Sequence, residues 1–526
     1  MSDNYQISRR KFLATGTCGA MGIGSLVNTI SQLQLINSAA AATGAGGIDV
    51  VGNDYKALVC IFLRGGCDMN NVLIPITGNS QAAGYAADRG VVGIRNGTAH
   101  EIFNPGGEND TIPLNNTGEP FGLHPALPNL AAMFQSSPGE AAFISNIGTL
   151  AEHTTPTTYN SASLPRQLFS HSDQVTEWMS SIADQPYTSG WGARVADLYH
   201  EAWNPGTQTS MLITAAGNNQ FLNGSDFPQY SVTSAGAISL NGFTSFGTPY
   251  GGALNADGSY RTTNSGNRLQ ALERIMAYSH ANILESGYNT VVRRARENEA
   301  IVTEASQVAL NNGIDLEATF TNFGADSGIG SELLAIARLI AGRKCLGNNR
   351  QIFFVDMGGF DNHQDINSDL ATQLTELDNA LGAFNQALKD IAQADPDFEY
   401  DQVTTFQASD FNRTWTPNSE NASTAGTDHA WGTHAFVFGG AVKGGQIYGQ
   451  IPELVVGGAV DVPSGSRGRW IPTTSVDQYC AVLANWFGVP AQDTLGAYTD
   501  EMRLILPNID RFYDPFDLSN NMSFLA

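Results

Sequence analysis

The sequence predicts an α/β protein built around a mostly parallel β-sheet. Short apolar runs typical of buried strands occur at 57–63, 141–145, 351–355 and 403–406. Segments with helical spacing occur at 123–135, 268 to about 311, 332–341, 371–393 and 477–487. Strands that alternate with helices form parallel βαβ units, so we expect helices on both faces of the sheet.

The composition is that of a globular protein, because 42% of the 526 residues are hydrophobic and 14% are charged. We expect a single domain over residues 43–526, with insertions at about 78–120 and 203–266. The first insertion is rich in Gly, Asn and Pro and is expected to be irregular. The second is rich in Gly, Ser, Thr and Asn and is interpreted as a β-hairpin-rich insertion.

Residues 1–42 have the pattern of a twin-arginine (Tat) signal peptide. Ser8-Arg9-Arg10-Lys11-Phe12-Leu13 is followed by a mildly apolar run and by small residues at 38–42. The alternative is a short amphipathic helix with two chance arginines. We therefore expect recognition by the Tat translocase, export, and a periplasmic or secreted location. No later apolar run is long enough to span a bilayer, so stable membrane insertion is not expected.

Charge and cysteine content exclude several classes of protein. The formal net charge of −24 disfavours nucleic acid and anionic membrane surfaces as partners. Cys60, Cys67, Cys345 and Cys480 follow the signal segment and form no C-x-x-C pair, which excludes a zinc ribbon and a disulfide scaffold. Cys60 and Cys67 are either a disulfide pair or buried thiols.

Carboxylates and imidazoles follow three of the predicted strands and indicate a metal site. Asp68, Asp361 with His363, and Asp410 come directly after strands, and ligands of parallel sheets bind beyond the carboxyl ends of the strands. These side chains supply the oxygen and nitrogen donors of a divalent-metal centre. The alternatives are a turn cap for Asp68 and a helix N-cap for Asp410.

A second group of candidate ligands lies farther along the chain. His429 is the strongest single candidate, and Asp428 is either a ligand or a partner that orients an imidazole. His434 is either a ligand or a structural histidine. The run at 439–445 indicates a tight turn, since it lacks the phosphate-loop pattern.

Five ordered motifs resemble one bacterial family. They are R-G-G-x-D-x-x-N at 64–71, L-H-P-A-L at 123–127, G-G-F-D-x-H at 358–363, S-D-F-x-R-T at 409–414, and G-T-D-H-x-W-G running on to G-G-x-V-K-G-G at 426–445. The chain thereby resembles the exported domain of unknown function 1501 family, which is often labelled sulfatase. That family is placed in the alkaline-phosphatase-like superfamily of metal-dependent ester hydrolases.

The resemblance implies an alkaline-phosphatase-like fold and a two-metal site. The implied ligands are Asp68, Asp361, His363, Asp410, Asp428 and His429, holding Zn, Mg, Mn or Ca. The implied reaction is hydrolysis of a small or polymeric anionic phosphate or sulfate ester by a hydroxyl nucleophile. A different class of function is also open, namely a catalytically degenerate secreted protein that uses the fold for binding or surface assembly.

The candidate catalytic residues are Ser170, His171 and Arg413. Ser170 is the candidate nucleophile, with Thr149, Thr154 and Thr155 as competitors, and each of these hydroxyls can instead cap a helix. His171 is a ligand, a proton shuttle or a core residue. Arg413 either binds the substrate oxyanion or pairs with a nearby Asp.

Three departures from the superfamily pattern bear on these expectations. Phe411 follows Asp410 where a histidine is frequent, and Asp361 is separated from His363 by a single residue rather than by a wider spacing. The chain also lacks a formylglycine-type signature, so the resemblance does not extend to the usual sulfatase mechanism.

Overall fold

The computed structural model describes residues 55–94, 112–114, 120–207, 209–234, 236–238, 252–255, 259–277, 283–465 and 467–526. The predicted signal peptide at 1–42 lies outside the described residues. Among the helices that are described, none combines the length and the apolar character needed to cross a membrane.

The described part of the chain contains a main sheet of ten strands. The strands are β1 (Lys56–Leu63), β5 (Ala141–Gly148), β6 (Leu212–Thr214), β7 (Tyr230–Thr233), β8 (Gly236–Ala237), β9 (Arg350–Met357), β10 (Val403–Ser409), β11 (Thr433–Phe438), β12 (Ile447–Tyr448) and β13 (Thr474–Ser475). Their order is β12-β5-β11-β10-β1-β9-β6-β7-β8, and β13 also pairs with β5. A separate sheet has the order β2-β4-β3, from β2 (Leu73–Pro75), β3 (Ile112–Leu114) and β4 (Phe121–Leu123).

Most neighbours in the main sheet are parallel. β1 pairs in parallel with β9 and β10, and β6 continues the parallel order on the far side of β9. β11 is antiparallel to both β10 and β5, and β8 is antiparallel to β7. The predicted α/β class with a mostly parallel sheet is therefore confirmed.

The apolar runs are continuous because both faces of the central strands are buried. In β1, Ala57, Val59 and Ile61 contribute to one hydrophobic cluster, whereas the alternate residues Leu58 and Phe62 contribute to another. Successive side chains of a strand point to opposite faces of the sheet. A strand that is covered on both faces therefore has a near-continuous apolar run, without alternating polar residues.

Helices cover both faces of the main sheet. The helices are α1 (Ala82–Asp88), α2 (Pro128–Gln135), α3 (His171–Ser180), α4 (Trp191–Trp203), α5 (Asn264–Ala277), α6 (Ile283–Asn311), α7 (Leu316–Asn322), α8 (Gly328–Ala341), α9 (Arg343–Leu346), α10 (Ile366–Ala394), α11 (Val476–Phe487) and α12 (Asp500–Ile505). Helices α2, α7, α8 and α10 bury apolar residues in the cluster that contains Ala57. Helices α3, α4, α11 and α12 do so in the cluster that contains Leu58.

The described residues fall into two compact units, one within 240–296 and the other within 49–239 and 297–526. Helix α5 belongs to the first unit, and α6 has residues in both. The main sheet belongs to the second unit. All four cysteines at 60, 67, 345 and 480 are free thiols, so the alternative of a disulfide between Cys60 and Cys67 does not hold.

Several elements differ from the sequence prediction. Helix α1 and strand β3 lie within the insertion at 78–120, which was expected to be irregular, and the helices α3, α4, α7 and α12 were not predicted. The helix expected at 123–135 begins at Pro128, because the Leu123 end of the segment pairs with β2 and a residue before proline, such as His124, disfavours helical backbone. β11 was not predicted. In the described part of the segment 203–266, β6 and β7 are parallel members of the main sheet, β7 and β8 form an antiparallel pair, and Leu254 and Tyr260 form an isolated antiparallel bridge.

Candidate metal centre

Several polar segments meet at one edge of the main sheet. β9 and β10 run in parallel, so the loops that follow them emerge at the same edge. β11 is antiparallel to β10, so the residues just before β11 lie at that edge as well. The loop that leaves β5 leads to the first residue of α3. The side chains delivered by these segments are His171, Asp361, His363, Asp410, Asp428 and His429.

Four of these side chains, His171, Asp361, His363 and His429, form what we call the histidine cluster. The Nε2 atom of His429 lies 3.1 Å from Nε2 of His171 and 3.1 Å from Nε2 of His363. Asp361 Oδ1 lies 3.4 Å, 3.0 Å and 3.4 Å from the Nε2 atoms of His171, His363 and His429. One donor atom from each of His171, Asp361 and His429 lies within 4.8 Å of the other two.

These separations fit neighbouring ligands of one small divalent cation. With bonds of about 2.0–2.1 Å, neighbouring ligands are about 3.3–3.4 Å apart around a tetrahedral ion and about 2.9 Å apart around an octahedral one. The observed distances of 3.0–3.4 Å span that interval. The side chains are partly open, with exposed fractions from 26% for His429 to 47% for Asp361, so an ion there would be reachable from solvent.

The far nitrogen of each imidazole has its own hydrogen-bond partner. His171 Nδ1 lies 2.7 Å from Asp410 Oδ2, and His363 Nδ1 lies 3.1 Å from Asp428 Oδ1. His429 Nδ1 lies 2.8 Å from the carbonyl oxygen of Phe169. A carbonyl can only accept, so His429 donates through Nδ1 and leaves the lone pair of Nε2 facing the cluster. Metal-binding histidines are oriented in this way in proteins.

Asp410 and Asp428, both predicted as ligands, therefore lie behind imidazole rings. Asp410 is 2% exposed and also accepts from the backbone N–H of Gly65 at 3.2 Å. Its hydrogen bond is the main cause that raises the pKa of His171. Asp428 pairs with Arg467. Burial acts to raise the pKa of Asp428, and the hydrogen bond and charge of Arg467 outweigh burial, so this pKa is lowered.

Arg413 is buried and holds Asp361. Its guanidinium donates to Asp361 Oδ1 at 2.7 Å and to the carbonyl of Gly65 at 3.3 Å, and it also donates to the carbonyl of Thr427. Burial acts to raise the pKa of Asp361, but the hydrogen bond and charge of Arg413 outweigh it, so this pKa is lowered. Of the two alternatives for Arg413, the structure shows the ion pair.

Asp68 does not join the histidine cluster. It is fully buried in an ion pair with Arg89, which also donates to the carbonyls of Thr414 and Trp415 and to Asn71 Oδ1. Asp410 bonds to an imidazole and Asp68 to a guanidinium, so these two predicted ligands do not contribute an oxygen to the histidine cluster.

The candidate nucleophile Ser170 is next to His171 in the chain, at the N-cap position of α3. Its Oγ donates to Asp173 Oδ2 at 2.8 Å. The competing hydroxyls bond elsewhere: Thr149 to Gln174, Thr154 to the carbonyl of Glu152, and Thr155 to Thr157 and Thr158. Within the described residues, these hydroxyls make no hydrogen bond to the histidine cluster.

His434 lies outside the cluster and has a structural environment. It is 3% exposed, its Nδ1 accepts from the backbone N–H of Asn146 at 3.3 Å, and burial lowers its pKa to about 4.

The backbone around the cluster has strict steric requirements. A Cβ on Gly65 would lie 2.5 Å from the backbone nitrogen of Asp361, and one on Gly426 would lie 2.1 Å from the carbonyl carbon of His363. Phe169 has a positive φ of 77°, which is uncommon for a bulky residue and occurs most often at functional sites. That conformation presents its carbonyl to His429 and leads directly to His171.

Sequence reasoning missed two members of the site. The Phe169 carbonyl carries no side-chain signal, because its role comes from backbone direction. Arg467 lies 39 positions after its partner Asp428, outside any motif. An arginine near a cluster of acids is expected to pair with one of them, but nothing in the spacing identifies which one.

Comparison with known proteins supports the family resemblance. A family model described as Protein of unknown function (DUF1501) matches residues 247–463. This range includes Asp361, His363 and His429 but not His171. No curated protein and no solved structure matches the chain.

Proposed function

We propose that the protein is an exported metal-dependent hydrolase of phosphate or sulfate esters, with an alkaline-phosphatase-like fold. The observation that carries this proposal is that His171, Asp361 and His429 place donor atoms within 4.8 Å of one another, with His363 Nε2 at 3.0 Å from Asp361 Oδ1 and 3.1 Å from His429 Nε2. Lone pairs brought this close are stabilised either by protons on the imidazoles or by a cation between them, and a bound divalent ion would serve all of these donors at once. A donor set rich in imidazole nitrogen favours Zn over Mg, Mn and Ca, which prefer oxygen.

We propose one ion, held by His171, Asp361 and His429 with His363 as a further ligand. A bound divalent ion would lower the pKa of a water molecule and polarise the ester oxygen. The chain's own residues fix the ligands. Asp410, Asp428 and the Phe169 carbonyl orient the three rings, and Arg413 fixes the carboxylate of Asp361.

Ser170 is the proposed hydroxyl nucleophile, in competition with a metal-bound water. Its position directly before His171 favours it, whereas its hydrogen bond to Asp173 directs the Oγ elsewhere. Ser170→Ala distinguishes the two. Loss of hydrolysis with metal retained assigns the step to Ser170, and unchanged hydrolysis assigns it to water.

The twin-arginine pattern supports export through the Tat translocase to the periplasm or beyond. Cell fractionation of the full chain tests this. An Arg9→Lys/Arg10→Lys variant should stay in the cytoplasm, and equal export of the variant would contradict the proposal.

A binding or surface-assembly role is the second candidate. It is favoured by Phe411, which occupies a position where a histidine is frequent, and by the ion pair of Asp68 with Arg89.

Metal content and hydrolysis separate the two functions. The wild type should contain about one equivalent of Zn per chain and hydrolyse members of a panel of phosphate and sulfate esters. Asp361→Asn should lose both properties, and the exposed Asp500→Asn should lose neither. One metal without hydrolysis favours the binding role, two equivalents refute the one-ion centre, and no metal refutes the metal centre.

A further inference from the structure

The arginines around the histidine cluster differ in one respect, namely whether a carboxylate neutralises them. Four of them have such a partner. The pairs are Arg64 with Asp356, Arg166 with Asp173, Arg413 with Asp361 and Arg467 with Asp428. The positive charges of these four arginines are therefore neutralised by carboxylates of the protein itself.

Arg469 is the exception. Its guanidinium carbon lies 4.7 Å from the centroid of the Phe169 ring, and no carboxylate pairs with it among the described residues. Its Nε atom is buried and has no hydrogen-bond partner. A desolvated N–H group is costly to leave unpaired. The backbone N–H of Arg469 donates to Asp461 Oδ1 at 2.9 Å, but its guanidinium has no acidic partner among the described residues, which is unexpected in a chain with a net charge of −24.

Backbone contacts fix Arg469 beside the metal centre. Trp415 donates to the carbonyl of Gly468, and Gly432 donates to the carbonyl of Trp470, so both neighbours of Arg469 are tied to segments that carry site residues. On the other side, the Phe169 residue under the guanidinium is the one whose carbonyl orients His429. One residue thus connects the unpaired cation with a proposed metal ligand.

We propose that Arg469 binds the non-bridging oxygens of the substrate's phosphate or sulfate group while the proposed metal ion holds the reacting end. This inference rests on the proposed function and names the residue that recognises the anion. A guanidinium presents a planar fork of N–H donors that matches two oxygens of a tetrahedral oxyanion. The ring of Phe169 holds the plane of the guanidinium by a cation–π contact. Arg413 does not supply this charge, because it is buried against Asp361.

Inorganic phosphate is the probe for the first experiment, with the full chain loaded with Zn and binding measured by calorimetry. Arg469→Met keeps an apolar stem on Phe169 and removes the charge. It should weaken phosphate binding and raise KM for an ester by about 10- to 100-fold, as expected for the loss of a hydrogen bond to a charged group. Arg469→Lys should recover part of the binding, because it keeps the charge but not the fork. Arg503→Met, which removes an arginine paired with Asp510, should change neither value.

A second measurement uses the unmutated protein and does not depend on folding of a variant. Phenylglyoxal should modify Arg469, as mapped by peptide mass spectrometry, and phosphate should protect it. Wild-type binding of phosphate by Arg469→Met, or modification that phosphate does not slow, would overturn the inference. If the metal-loaded protein hydrolyses no ester but Arg469→Met loses phosphate binding, the proposed function fails while the anion subsite stands. If the wild type hydrolyses an ester and Arg469→Met leaves KM unchanged, the anion subsite fails while the proposed function stands.

Discussion

Replacement of Asp410 by Asn tests whether the buried carboxylate orients a metal ligand. The bond from Asp410 to His171 Nδ1 is 2.7 Å long, and Asp410 is 2% exposed. Loss of such a partner typically weakens metal affinity about 10- to 100-fold, which corresponds to about 1.4–2.7 kcal/mol. Because the side chain is buried and water cannot replace it easily, we expect Asp410→Asn to fall near the 100-fold end of that range.

Asp428→Asn is the matched comparison. Asp428 bonds to His363 in the same manner, but its side chain is 29% exposed and it shares its charge with Arg467. Its loss should cost about tenfold. Zn affinity is measured at pH 7.5 by competition with a chromophoric chelator, with circular dichroism as the check on folding. A folded Asp410→Asn protein with wild-type affinity, or a larger loss in Asp428→Asn, would refute the assignment of Asp410 as the principal orienting residue.

The same variant should change the pH dependence of metal binding. Metal binds the neutral imidazole, so protons compete with metal at His171. The hydrogen bond that His171 donates to Asp410 raises the pKa of His171, which strengthens this competition in the wild type. Asp410→Asn removes that cause, so its affinity should fall less between pH 7.5 and pH 5.5 than the wild-type affinity does. The two affinity curves should therefore approach each other as the pH falls.

Two further predictions concern backbone fit and stability. Gly426→Ala should lower the free energy of unfolding by about 2–3 kcal/mol and weaken Zn binding, because its Cβ would lie 2.1 Å from the carbonyl carbon of His363. Gly358→Ala is the control, with open space around its Cβ, and chemical denaturation of both variants checks the difference. Burial raises the pKa of Glu177 from 4.5 to about 9, so the folded state keeps a proton that the unfolded state releases. Wild-type stability should fall as the pH rises from 5 to 8, by up to about 4 kcal/mol from this group. In thermal melts Glu177→Gln should show a smaller fall and exceed the wild type at pH 8, and parallel curves would contradict the assignment.

The fold class and the meeting of the site loops followed from the sequence because both depend on topology. Parallel strands carry their following loops to one edge, so Asp68, Asp361, His363 and Asp410 were expected together without knowledge of any side-chain position. Asp68 pairs with Arg89 instead of joining the histidine cluster. The approach of His429 to the same edge depends on the reversed direction of β11, which the prediction did not include.

The roles within the site could not be predicted in the same way. Whether a carboxylate binds a metal or an imidazole depends on how the imidazole ring is rotated and on shifts in position smaller than 1 Å. Neither leaves a periodic pattern in the sequence. Asp410 and Asp428 were therefore expected as ligands. The pairing of Asp68 with Arg89 could not be predicted, because Arg89 lies in the insertion at 78–120, whose apolar residues show no clear periodicity. His171 reaches the cluster through the loop at 149–170, which has no periodic pattern. His171 was therefore a candidate only because it follows Ser170 in the sequence.

Phe411 connects these results, because it occupies the position where the resemblance would often place another donor. Its ring is buried, with its centroid 4.7 Å from the ring of His171 and 4.8 Å from that of His429. A Cβ on Gly66 would lie 2.6 Å from this ring, so the loop after β1 is shaped to receive it. An aromatic ring here offers no ligand and instead braces two imidazoles. Asp68 is paired with Arg89, and donor atoms of His171, Asp361 and His429 lie within 4.8 Å of one another. At the proposed one-ion centre, the positive charge beside the substrate's oxyanion would then come from a side chain, which is the role proposed for Arg469.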